Sequence, residues 1–123
     1  MIEVLVAVLL FMLGILALVG LNATMNKNVT QAKLRGEASF LANELIGRMW
    51  ADTPNLAKYV VTDAACSDTS YANCTQWVAK VQHALPSGRA TVELAGSTID
   101  ITLNWAMPGE APSALQVSTN INP

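Results

Sequence analysis

Eighteen consecutive residues, Val4 to Leu21, carry no charge and no strongly polar side chain. As a helix rising 1.5 Å per residue, such a run spans roughly 27 Å, close to the ~30 Å hydrocarbon thickness of a bilayer. Leu, Val, Ile, Phe and Met fall on every side of that helix, so it has no wet face. The stretch therefore belongs in lipid or among other apolar protein surfaces. Val4, Leu5, Val8, Leu9, Phe11, Met12, Gly14, Ile15, Leu18 and Gly20 are assigned to this membrane or assembly-core helix.

Glu3 stands directly before the run. A carboxylate deep in a bilayer costs about 3 kcal/mol on insertion scales, and intramembrane acids are usually functional. Two readings follow: Glu3 rests among headgroups, or it meets a positive partner supplied by another molecule. A secretory signal is the other candidate for such a start. Its apolar core would be only about 7–15 residues, preceded by basic residues and followed by a small-residue cleavage site. Here no basic residue precedes the run, and a helical pattern continues after it.

Beyond Asn22 the chain becomes polar, yet residues 22–53 contain no proline. Leu34, Ala38, Leu41, Leu45 and Met49 recur at three- and four-residue steps, which predicts a single greasy stripe. Glu44 precedes Arg48 by four, the favourable order for a helical ion pair. Asp52-Thr53-Pro54 supplies the stop, because the residue before proline is pushed out of the helical region. The spacing thus predicts one helix of about 50 residues, roughly 75 Å long. Its second half needs a folded domain to cover the stripe, and its first half does not.

Residues 54–74 lack periodicity and read as a loop. From Thr75, an expected N-cap, Trp77, Val78, Val81 and Leu85 share one helical face and Pro86 ends the segment. Ser87-Gly88 opens an alternating pattern: Val92 and Leu94, then Ile99, Ile101, Leu103 and Trp105 face one way after a turn near Ala95-Gly96. Thr98, Asp100, Thr102 and Asn104 face the other. Such alternation predicts half-buried antiparallel strands. Leu115, Val117 and Ile121 complete a third strand after Pro108-Gly109 and Pro112. The sheet is expected to lay its apolar face on the striped part of the long helix.

The N-terminal stretch resembles the first helix of the type IV pilin superfamily, whose mature chains begin Phe-Thr-Leu-Ile-Glu after a short basic leader ending in Gly. Ile2-Glu3 match that start, with Met1 where Leu would stand. "FLANELIGRMWADTPN" is similar to the end of helix one in the PilV group of minor pilins (type IV pilus modification proteins). "LPSGRATVEL" and "IDITLNW" are similar to that group's turn and its strand ending in Trp. These segments cover somewhat over half the chain. The resemblance implies an α+β, pilin-like fold: a long N-terminal helix, a short second helix and an antiparallel sheet of about three strands. Residues 1–26 would be the transmembrane and assembly helix and residues 27–123 the globular domain. It also implies a precursor whose basic leader and Phe-Thr pair precede Ile2, processed and N-methylated by a prepilin peptidase. Glu3 would be the subunit-assembly residue, paired with the N-terminal amine of a neighbour.

The implied role is a minor pilin that joins other minor pilins and the major pilin to prime or modify a type IV pilus, with consequences for adhesion and twitching motility. The subunit would wait in the inner membrane, with its domain in the periplasm, before reaching the cell surface in the fibre. A minor pseudopilin of type II secretion, or an anchored periplasmic binding domain that never polymerises, would share much of this sequence. Orientation is contested within the chain itself: Lys27, Lys33 and Arg35 follow the span, which by the positive-inside rule places the domain in the cytoplasm. The implied basic leader on the other side reverses that reading.

Cys66 and Cys74 are the only cysteines. In an oxidising compartment they would close a short loop worth about 2.5 kcal/mol on the chain-entropy model; in the cytosol they would be two free thiols. With the lone His83 they do not make a four-ligand zinc set, so no metal and no cofactor are expected. The acids are dispersed, and no triad, nucleophile elbow or phosphate loop is present, so no catalytic residue is assigned. Net charge is −2 with scattered basic residues, which predicts no nucleic-acid partner. The Cys66–Cys74 loop and the Pro108–Pro112 turn are candidate contact loops because loops are exposed.

Overall fold

The computed structural model describes residues 1–122. Helix α1 runs without interruption from Ile2 to Ala51. The chain divides into two compact units, Met1–Lys33 and a second that begins at Leu34. The first is entirely helical from Ile2.

In the second unit, the predicted stripe is the buried side of α1: Leu34, Ala38, Leu41, Leu45 and Met49, joined by Ala42. Asp52 and Thr53 fall outside the helix, and a 3-10 segment, Thr53–Tyr59, begins with Pro54 in its first turn. Proline fits there because its missing N–H would have had no intrahelical partner.

The region read as a loop is more ordered than expected. Two strands of two residues each, β1 (Val61–Thr62) and β2 (Ala65–Cys66), form a tight hairpin. Its turn residues Asp63 and Ala64 both have positive φ, 49° and 67°. Positive φ at both central positions is what a two-residue turn of the I′ type requires. Helix α2, Ala72–Ala84, starts three residues before the expected N-cap. Thr75 therefore lies inside its first turn, where its hydroxyl donates back to the Tyr71 and Ala72 carbonyls at 3.3 Å each. Leu85 ends the helix, ahead of Pro86.

Strands β3 (Arg89–Ala95), β4 (Thr98–Trp105) and β5 (Ser113–Asn120) follow in the places their alternation predicts. With the hairpin they make one antiparallel sheet of five strands, ordered β2-β1-β3-β4-β5. The expected count of about three was too low, because two-residue strands are too short to show a period of two. Ile99, Ile101, Leu103 and Trp105 point into the core while Thr98, Asp100, Thr102 and Asn104 do not. One core joins the α1 stripe, α2 and the inner sheet face. The layout is the α+β, pilin-like one.

Polar ties fix α2 against α1. Trp77 Nε1 donates to the Leu41 carbonyl at 2.8 Å. Glu44 accepts from Lys80 at 2.6 Å and from Arg48 at 3.0 Å, so the expected helical pair extends to a second helix. The Lys80 hydrogen bond, aided by Arg48, holds the Glu44 carboxyl below its usual range against a smaller opposing effect of burial. Gly88 closes the turn after α2 for steric reasons: a Cβ there would lie 2.6 Å from the Val81 carbonyl oxygen.

Candidate functional site

The apolar stretch assigned to membrane or filament core is a helix with every side chain exposed. Val4, Leu5, Val8, Leu9, Phe11, Met12, Ile15 and Leu18 all stand at 44% exposure or more. None of the described residues covers them. One such residue on a surface is ordinary, but a contiguous run of this length marks a surface meant for another apolar phase. By length and composition the helix can cross a membrane once.

Glu3 occupies the first turn of α1. Its side chain is exposed.

Gly14 and Gly20 are helical, and a Cβ at either would meet nothing within 4 Å; the same holds for Gly36 and Gly47 farther along α1. No contact among the described residues requires these glycines. Each lowers helix stability by roughly 1 kcal/mol relative to Ala in water. Small residues on a helix permit close approach of a second helix.

A further exposed face escaped the sequence reading. Gly36, Phe40, Asn43, Gly47 and Trp50 follow one another at four- and three-residue steps, the first four each two positions beyond a member of the buried stripe. Two residues rotate a helix by about 200°, so these lie on the opposite side. All five are exposed, Phe40 at 66% and Trp50 at 49%. The signal was present as two aromatic residues set among small and polar ones, masked by the stronger buried series.

The two cysteines form a disulfide, Cys66–Cys74, with Cα atoms 6.2 Å apart. It ties β2 to the first turn of α2 and sits at the edge of the core. Just past the end of α1, Asp52 gathers hydroxyl and amide donors: Tyr59 at 2.9 Å, Asn55 at 2.7 Å, and the Tyr71 hydroxyl. Hydrogen bonds from Tyr71 and then Asn55 hold the Asp52 carboxyl below its usual range. Burial, followed by the adjacent Asp52 carboxylate, pushes the Tyr59 phenol well above its own. The cluster fastens the end of α1 to the segment before the hairpin. His83 is exposed in the last turn of α2 and joins none of these groups. Pro108 and Gly109, at the tip of the second candidate loop, are exposed as well.

No family model, curated protein or solved structure matches this chain. The functional reading therefore rests on the helix, its acid and the domain that carries them.

Proposed function

We propose that this chain is a minor pilin subunit of the PilV type, which joins related subunits to prime or modify a type IV pilus. The observation that carries the reading is the contrast along α1. One helix is bare and apolar on all sides through its first half, while in its second half one face is committed to a core and the opposite face keeps Phe40 and Trp50 in the open. A helix greasy all round can be held in the inner membrane and then withdrawn among equivalent helices without ever being hydrated. Lipid tails are as apolar as Leu, so close packing and polar contacts select the neighbour, and burial as such does not.

Glu3 is the polar contact at the head of that helix. In this reading its carboxylate pairs with an amine of an adjacent subunit, where the low-dielectric surroundings strengthen the attraction. The Gly14, Gly20, Gly36 and Gly47 positions let neighbouring helices approach. A disulfide persists in the oxidising periplasm and not in the cytosol, which supports a periplasmic domain and a basic leader retained on the cytoplasmic side.

The test is Glu3→Leu in the native precursor. Membrane insertion is expected to be unchanged or improved, while recovery of the subunit in sheared fibres and in crosslinks to companion pilins is lost. Normal piliation and normal incorporation of Glu3→Leu would overturn the role, and would favour an anchored domain that never polymerises.

A further inference from the structure

The five-stranded sheet ends differently on its two sides. On one it closes with β2, two residues long and tied down by the Cys66–Cys74 disulfide. On the other it ends with β5, eight residues in unbroken register with β4 from Ser113↔Trp105 to Asn120↔Thr98. The phase of that ladder is fixed by the bond from the Ile121 amide to the Ser97 carbonyl, 2.9 Å. Odd-numbered residues of β5 therefore turn their N–H and C=O groups toward β4. Ala114, Gln116, Ser118 and Asn120 turn theirs away from the sheet, in a row with the repeat of a strand.

Proteins blunt such an edge with charges, prolines, bulges or a covering segment. From Ser113 to Asn120 there is no charged residue, no proline and no glycine, and the register shows no bulge. Leu115 and Val117 lean against the core yet stay half-buried at this margin.

We infer that β5 is a docking edge for an extended segment of a different protein chain, which adds a sixth strand to the sheet. Its backbone would satisfy the four outward residues, and apolar side chains at alternate positions would close over Leu115 and Val117. The absence of charge along β5 matches a segment uncharged where it lies against the strand. The choice of a different chain over a second copy rests on the proposed assembly role. Antiparallel pairing of β5 with its own copy needs a two-fold axis normal to the sheet. That operation reverses the α1 segment lying on the sheet, and subunits assembled with their first helices running the same way cannot meet so.

The test uses the full chain in detergent micelles and a synthetic ten-residue peptide of alternating Thr and Val, with two lysines at each end for solubility. Saturable binding is expected for the wild type and for Ser118→Ala, which keeps the backbone donor. Ser118→Pro, which removes one outward N–H and leaves the β4 ladder intact, is expected to bind at least tenfold more weakly. Amide exchange on the wild type keeps the idea exposed should the proline variant fold poorly. Peptide should slow exchange at Ala114, Gln116, Ser118 and Asn120, and leave the odd-numbered amides as they were. No binding, or protection spread evenly over the sheet, overturns the proposal. So does self-association that protects the same four amides without peptide, since the occupant is then a second copy. None of these readouts depends on Glu3 or on fibre incorporation, so the edge can fail while the assembly role stands, and the reverse.

Discussion

The indole N–H of Trp77 reaches the carbonyl oxygen of Leu41 at 2.8 Å, across 36 residues of sequence, with both residues buried. That carbonyl lies within α1, so the bond sets the rotation of α2 against the long helix as well as their contact. Trp77→Phe keeps most of the ring and deletes the donor. It is expected to cost about 1–2 kcal/mol, from the lost hydrogen bond and a small void. Denaturant unfolding of the full chain in mild detergent measures this; an unchanged midpoint would show that packing alone orients α2.

The disulfide closes a loop with a sequence separation of 8. Replacing both Cys66 and Cys74 by Ala is expected to lower stability by about 2–3 kcal/mol, chiefly by freeing the unfolded chain. The same loss should appear in the wild type when unfolding is repeated under reducing conditions, and should be absent from the double variant.

Ala64 holds a φ of 67° in the β1–β2 turn. Left-handed backbone costs an L-residue with a Cβ roughly 1–2 kcal/mol, part of which glycine returns as extra freedom in the unfolded chain. Ala64→Gly is therefore expected to stabilise by about 0.5–1 kcal/mol, visible as a rise in the thermal midpoint. A fall would mean that the turn has another conformation.

Asp52 gives the domain an acid-side pH dependence. Its folded pKa is depressed by the Tyr71 and Asn55 hydrogen bonds, so its contribution is complete above the ordinary carboxylate range and is lost as pH falls through the folded value. Tyr59 acts on the alkaline side. Its raised pKa gives stability that is present below the ordinary phenol range and is lost as pH rises toward the folded value. Asp52→Asn should be less stable than wild type near neutrality, with the gap closing below about pH 4. A gap independent of pH would place the loss in the shape of the site and not in its charge.

Much of this architecture was written in local pattern. The stripe from Leu34 to Met49 and the alternation from Ile99 to Trp105 are periodic over many residues, and each landed on the face it predicted. Asp52-Thr53-Pro54 stopped the helix at Ala51. The hairpin around Asp63-Ala64 was not legible, because two-residue strands have no period and Ala is not the residue expected at positive φ. The start of α2 was misplaced for a related reason: Tyr71 is its N-cap and makes no side-chain cap, so Thr75 offered the stronger but false signal. Of the candidate site, the bare helix and Glu3 could be read directly. The Asp52–Tyr59–Tyr71 cluster and the Trp77–Leu41 bond could not, since partners far apart in sequence meet only once the core has formed.

The open space around Gly14, Gly20, Gly36 and Gly47 has one more implication. An added methyl group at any of them would meet no other atom of the described residues, and would only make the helix firmer. These four positions thus separate two kinds of demand: alanine there can only firm the isolated helix, so any loss it brought would have to come from another molecule laid against it.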